Sequence, residues 1–260
     1  MSTFEKSDVV WITGASTGIG RALALSFAAD GYKVAASARG LNKLRELEAA
    51  SPDIKAYPLD VTDAAAVQAT FDTIEIGYGH VGLAVLNAGV WQPMSASNFD
   101  LDKVNNSLAV NYQGVTNALA PVMRAMIARG RGHIAVVSSV AGYRGLPKGA
   151  AYGPTKAALI NLTESLYADL QLKGVTMTVI NPAFVATPMT EPNTFPMPFI
   201  VSTDEAVSYI RRGLGSGRFE IVFPGRMAFI MKTLRLLPYR IYFWVAGKVS
   251  KREEAPKIDA

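Results

Sequence analysis

The chain contains no cysteine. That absence removes disulfides, thiolate zinc sites, iron–sulfur clusters and a cysteine nucleophile together. His80 and His133 are the only two histidines, which leaves little room for a His-based metal site or a Ser-His-Asp triad, and no metal is expected. No run reaches the roughly 18 uninterrupted apolar residues of a membrane-spanning helix. Residues 1–8 are polar and lack the basic-then-apolar order of a signal peptide. Internal repeats and low-complexity segments are also missing. A cytoplasmic chain, free or resting on the cytoplasmic face of a membrane, is the expectation.

What remains is a chain of 260 residues, 50% of them apolar. That is enough for one large core, and single α/β domains often reach this length. The charge is uneven. Residues 211–252 hold ten Lys or Arg against one acid, Glu220, while the whole chain is only +5. The body is therefore slightly acidic, which argues against a nucleic-acid binder, and the basic character belongs to the tail.

Short apolar runs recur at residues 9–12, 34–36, 54–57, 83–86, 134–137, 175–180 and 221–223. Each lacks alternation, as strands covered on both faces do. Segments long enough for crossover helices, such as 18–30 and 150–173, lie between them. The alternation predicts an α/β fold: a single doubly wound, Rossmann-type parallel sheet of about seven strands with helices on both faces. Residues 1–225 read as one domain, and 226–260 as an amphipathic, basic helical extension of it rather than a separate domain. Residues 182–203 form a long loop rich in proline, a pattern typical of lids or disordered segments.

The first run is followed by Thr13-Gly14-Ala15-Ser16-Thr17-Gly18-Ile19-Gly20. Glycines at 14, 18 and 20 let backbone approach a pyrophosphate, and the next helix offers free N–H groups and a positive dipole end. At the end of the second run, Ser37-Ala38-Arg39 has an arginine and no acid. An acid there holds a free ribose 2′-hydroxyl, whereas a 2′-phosphate wants an arginine, so NADP(H) is favoured over NAD(H).

Tyr152 and Lys156 are four residues apart and share one face of a helix. A free tyrosine has a pKa of about 10. An ammonium about 4 Å away contributes up to about 4 kcal/mol at intermediate dielectric, which would bring the phenol to about 7. Acid–base catalysis works best there. Ser138 and Ser139 end the fifth run, Asn87-Ala88-Gly89 ends the fourth, Asp60-Val61 follows the third, and Asn111 lies on the helix between the fourth and fifth.

With these motifs the chain resembles the classical short-chain dehydrogenase/reductase family over residues 8–190. The resemblance implies that Tyr152 is the proton donor, that Lys156 lowers its pKa and binds the nicotinamide ribose, that Ser139 polarises the carbonyl, and that Asn111 holds a water. Ser139 is preferred to Ser138 by its spacing to Tyr152. It also implies cofactor contacts from Gly14, Ser16, Thr17, Gly18, Ile19, Gly20, Arg39, Asp60, Val61, Asn87, Ala88 and Gly89. Tyr152, Lys156, Pro182, Val185 and Thr187 complete that set. Two departures stand out: Leu86 where the family often has a first asparagine, and Ala183 where it often has glycine.

The reaction implied is hydride transfer between nicotinamide and a ketone, aldehyde or secondary alcohol, with a hydrophobic substrate. Trp91, Tyr143, Leu146, Phe184, Phe195, Met197 and Phe199 are candidate walls for an apolar pocket. The other readings are an NAD-dependent alcohol dehydrogenase and a non-catalytic dinucleotide sensor on the same fold. Relatives associate, so a homodimer or homotetramer is expected. In the tail, Met227, Ile230, Met231, Leu234 and Leu237 make one helical stripe. Tyr239, Tyr242, Phe243, Ala246 and Val249 make a second after Pro238. These stripes suit either a membrane interface, through residues 226–250, or packing on a sister subunit or over the active site.

Overall fold

The computed structural model describes the backbone of residues 4–254 and the side chains of residues 4–248. Strands form where apolar residues run without alternation. β1 (Val9–Thr13), β4 (Val81–Leu86) and β5 (Gly132–Val137) are buried at every position. β2 (Lys33–Ala38), β6 (Val175–Pro182) and β7 (Glu220–Phe223) extend the sheet. β3 (Ile54–Pro58) closes one edge, and its exposed Lys55 and Pro58 explain why its sequence signal is weak. The strand order is β3-β2-β1-β4-β5-β6-β7, parallel throughout. The order reverses between β1 and β4, the point at which such sheets open a crevice at their carboxyl edge.

The period-two alternation of β1 sends its side chains into two cores. Val10 and Ile12 pack with Leu23 and Phe27 of α1 (Gly18–Ala29), Leu44 of α2 (Leu41–Ala49) and Ile210 of α7 (Thr203–Gly215). Val9 and Trp11 pack on the other face. Their partners include Phe71 of α3 (Ala64–Gly77), Val122 of α5 (Gly114–Arg129) and Leu159 of α6 (Gly153–Leu172). The Trp11 indole N–H donates to Ser37 Oγ at 3.0 Å, so this large ring is buried with its polar atom satisfied. Truncating a side chain of this kind costs about 3–5 kcal/mol. α4 (Leu101–Leu108) joins α5 through a π turn, Ala109–Gln113.

The two departures from the family pattern are absorbed locally. Leu86 is fully buried as the last residue of β4. Ala183 continues out of β6, its amide donating to the Phe223 carbonyl at 2.9 Å. The proline-rich loop is folded. Val185 and Val201 pair in parallel and close its base, and the Thr190 hydroxyl donates to the Val185 carbonyl at 2.6 Å.

The tail forms α8 (Gly225–Leu236) and α9 (Tyr239–Glu254), broken at Pro238. The two stripes fare differently: the α8 stripe packs on the body, one of the two expected roles, while most of the α9 stripe does not. Met227 and Met231 do not face outward. They pack with Val140, Tyr143, Ile160 and Val179 of the body, with Leu234 partly covered. Of the second stripe only Tyr242 is deeply buried, while Tyr239 and Phe243 are exposed; the side chain of Val249 lies outside the described residues. The exposed apolar surface instead consists largely of residues off the stripes: Phe229, Leu236, Ile241 and Trp244.

Candidate active site

The carboxyl ends of β1, β2, β4, β5 and β6 border one cavity of about 590 Å³. At one end lies the glycine turn. Gly14 has φ +68°, and a Cβ there would stand 2.8 Å from Ala88 Cα. A Cβ on Gly20 would meet the Gly14 carbonyl oxygen at 2.4 Å. Gly20 does not border the cavity; it lets α1 sit tightly under the turn. Asn87 ties β4 to this turn: its Nδ2 donates to the carbonyls of Thr13 and Gly14, both at 3.1 Å. The Thr13 hydroxyl in return accepts from the amides of Asn87 and Ala88. Thr17 opens α1 without giving it a side-chain cap, and no acid lies in the first turn. The first-turn N–H groups and positive dipole end are therefore left for a ligand. Ser16, Thr17, Gly18 and Ile19 all border the cavity.

Arg39 and Asp60 lie at the outer end, with Val61 beside them. The Thr62 amide and hydroxyl donate to the Asp60 carboxylate at 3.0 and 2.8 Å. Those bonds, with Arg39 nearby, hold its pKa below the usual value. Lys43 borders the same end, on the first turn of α2. Sequence reasoning missed it, although its spacing of four from Arg39 was the available signal.

The inner end holds Ser139, Tyr152 and Lys156. Asn111 stands behind them in the π turn, a distortion that recurs at functional sites. It is fully buried. Its Oδ1 accepts from the Val90 amide at 2.7 Å, and its Nδ2 donates to the Val90 carbonyl and to Thr155 Oγ1. A Cβ on Gly89 would lie 3.3 Å from Asn111 Oδ1 and 3.6 Å from Lys156 Nζ, so Gly89 makes room for both. Lys156 Nζ donates to the Val137 carbonyl at 2.9 Å. The two serines part ways. Both are buried and border the cavity. Ser138 Oγ donates to the Lys156 carbonyl at 2.7 Å, whereas Ser139 Oγ donates to the Pro182 carbonyl at 3.2 Å, accepts from the Ala141 amide at 3.1 Å and lies beside the Tyr152 phenol.

The expected acidic phenol is not what this cleft produces. Burial pushes Tyr152 up to about 12, with the Ser139 hydroxyl pulling the other way. Burial pulls Lys156 down to about 8. Lys156 does sit on the Tyr152 side of the helix, with Nζ 5.5 Å from the ring centroid. It lies over the ring and bonds the Val137 carbonyl, so desolvation outweighs attraction for both groups. At neutral pH the resting phenol keeps its proton and the amine keeps its charge.

Trp91, Leu146, Phe184 and Phe195 wall the inner end. Trp91 meets the Tyr152 ring edge-on at 5.0 Å between centroids. Its indole N–H donates to Asn193 Oδ1 on the proline-rich loop at 2.9 Å, a contact the sequence did not reveal. Tyr143 corrects the expected pocket: it lies outside the lining, and its hydroxyl donates to Glu220 among the β7 and α8 contacts. Met197 and the exposed Phe199 are also outside the lining. Pro182, Val185 and Thr187 border the cavity, and Thr187 Cγ2 lies 3.1 Å from where a Gly18 Cβ would stand.

Neither histidine approaches the cavity lining. His80 pairs with Glu75. His133 is buried against Thr178 Oγ1 at 2.8 Å, and burial lowers its pKa to about 4. Because the Thr178 hydroxyl donates to the Arg218 carbonyl, His133 Nε2 is the donor of that pair. Among the described residues no three His, Asp or Glu side chains gather to hold a metal.

A doubly wound sheet with a glycine turn and a polar triad at its switch point defines a dinucleotide-binding oxidoreductase scaffold. The short chain dehydrogenase family matches residues 8–196. An uncharacterized oxidoreductase of Myxococcus xanthus is 37% identical over 235 residues, 89% of this chain and 93% of the relative. The 3-oxoacyl-(acyl-carrier-protein) reductase FabG of Escherichia coli is 33% identical over 183 residues, 70% of this chain and 75% of that one. A solved short-chain dehydrogenase from Streptomyces avermitilis superposes with a TM-score of 0.82 at 26% identity, covering 96% of this chain and 100% of that one. The chain belongs to the short-chain dehydrogenase family. A nicotinamide dinucleotide is the cofactor expected of that family. The cavity volume, the uncapped start of α1 and the space kept by Gly14 fit one.

Proposed function

We propose that the protein is an NADP(H)-dependent reductase of a hydrophobic ketone or aldehyde, with Asn111, Ser139, Tyr152 and Lys156 as its catalytic group. The observation that carries this reading is the placement of the protonated Tyr152 phenol beside the Ser139 hydroxyl on an aromatic-walled cavity. The cofactor, when bound, supplies the hydride that goes to the substrate carbonyl carbon.

Every other part of the chemistry belongs to the chain. Ser139 Oγ and the Tyr152 hydroxyl donate to the carbonyl oxygen and polarise it. As negative charge gathers on that oxygen, Tyr152 gives up its proton to it. An alkoxide is far more basic than a phenolate, so a phenol with a pKa near 12 still transfers in this direction. The charged Lys156 then stabilises the phenolate, and Asn111 braces the Val90 backbone beside it. Residues 14–20, 60–61, 87–89, 182, 185 and 187 hold the dinucleotide along the cavity. Arg39 favours a 2′-phosphate, supported by Lys43.

The aromatic wall of Trp91, Phe184 and Phe195 favours an apolar substrate, and FabG, named for reducing an oxoacyl group, offers a related precedent. Residues 1–225 make the catalytic domain and 226–260 its extension. A cytoplasmic homodimer or homotetramer, touching a membrane through the tail, completes the reading. The test is a carbonyl panel followed by NADPH absorbance, with NADH in parallel. NADPH is expected to be preferred, and Arg39→Ala to raise its KM about tenfold or more, the worth of one charge-assisted bond to a phosphate. Preference for NADH would overturn the assignment of Arg39.

A further inference from the structure

We infer that α8 and α9 dock the protein on an anionic lipid bilayer, through the face opposite the one they bury. The buried face is accounted for. Met227, Ala228 and Met231 are buried in the body. Tyr242 is 4% exposed, and its hydroxyl donates to the Gly145 carbonyl. The Arg144 guanidinium lies 4.7 and 4.4 Å from the ring centroids of Tyr239 and Tyr242, and it donates to the Leu237 carbonyl at 3.2 Å. These contacts fix which side of each helix turns outward.

The outward side is apolar and aromatic where water would favour polar residues. Phe229 and Leu236 are seven residues apart, hence on one side of α8, and are 75% and 85% exposed. Ile241, Phe243 and Trp244 continue the surface on α9, each at least half exposed. A cluster of this size marks an interaction surface rather than scattered surface residues. Its charge selects the occupant. Arg226, Arg240 and Lys248 are exposed, while Lys232 is paired with Glu220 and Arg235 lies toward Tyr143 of the body; no acid falls between Glu220 and Glu253. Lys248 Nζ lies 3.6 Å from the centroid of the Trp244 ring it covers. Aromatic rings among lysines and arginines suit a headgroup layer, where rings enter the acyl boundary and cations meet anionic lipid. A second copy of this chain would set like charges against each other across a two-fold interface, which disfavours it as the occupant.

The same helices back the cavity. Met227 and Met231 pack with Tyr143 and Phe184, and Phe184 lines it. Tyr242 holds Gly145, the neighbour of the lining residue Leu146. If the reductase reading holds, a lipid-soluble carbonyl compound enters from the membrane at this wall.

The test is sedimentation of the full chain with vesicles of phosphatidylcholine, with and without phosphatidylglycerol. Binding is expected only with phosphatidylglycerol and should weaken with salt. Phe243→Ser with Trp244→Ser should reduce it on the order of tenfold, as should Arg240→Glu with Lys248→Glu. Turnover of a water-soluble carbonyl compound and the melting temperature should not change. Failure to bind, equal binding to neutral vesicles, or binding indifferent to both double variants would overturn the proposal. So would a dimer that the variants split without any vesicle binding, which would assign the face to a second copy. Tyr152→Phe should leave vesicle binding intact, so loss of the reductase reading would show separately.

Discussion

The two ends of the cavity are built by different means. The dinucleotide end is backbone pressed on backbone: Gly14 against Ala88, Gly20 under Gly14, and Asn87 bridging two carbonyls. The substrate end is side chain on side chain: Trp91 against Tyr152 and Phe195, Phe184 against Phe195, and Asn193 reaching across from the loop. Where an added Cβ would come within 3 Å of backbone there is no room for substitution, because the chain cannot rotate away as a side chain can. One end is therefore fixed by geometry, and the other can be re-lined without losing the fold.

That contrast can be broken by placing matched changes at each end. The largest effect should come from Gly20→Val, whose Cβ would lie 2.4 Å from the Gly14 carbonyl oxygen. Overpacking of this kind costs about 1–3 kcal/mol or more, and dinucleotide binding should be lost with it. Melting temperature and NADPH titration would check this; near-normal affinity would mean the turn is looser than its contacts indicate. A middling effect should appear with pH. Lys156, pulled down to about 8 by burial, is charged below that value and neutral above it. Reduction should therefore fall by about tenfold per pH unit once pH rises well past 8. A pH profile of kcat/KM, flat to pH 10, would contradict the electrostatic role of the ammonium. The smallest effect belongs to the substrate end. Asn193→Ala removes one hydrogen bond from Trp91, worth about 1 kcal/mol, so KM should rise several-fold with stability almost unchanged.

Legibility in the sequence followed the same division. The strands were readable because β1, β4 and β5 are buried on both faces and so carry unbroken apolar runs. The glycine turn and the order of Asn87, Asn111, Ser139, Tyr152 and Lys156 were readable because backbone-built features need particular residues at particular spacings. Ser138 and Ser139 both donate to backbone carbonyls, those of Lys156 and Pro182, and the Ser139 hydroxyl is the one beside the Tyr152 phenol. Three things were not readable. The Trp91–Asn193 contact joins residues 102 positions apart. The direction of the Tyr152 shift depends on how completely the cleft desolvates it, and spacing does not carry that information. The tail periodicity located helices but not their orientation. Orientation was set by Arg144 and Tyr242, which left Phe229, Leu236, Ile241 and Trp244, outside the apparent stripes, exposed together with Tyr239 and Phe243 from the second stripe.

The proton donor itself is the central claim, and one substitution addresses it most directly. Tyr152→Phe keeps the ring that packs on Trp91 and removes only the hydroxyl. Measured with a carbonyl substrate that the native protein reduces, turnover should drop by about 100-fold to 10,000-fold, with NADPH affinity unchanged. Turnover within a few-fold of the native rate would show that the proton comes from elsewhere and would contradict the assignment.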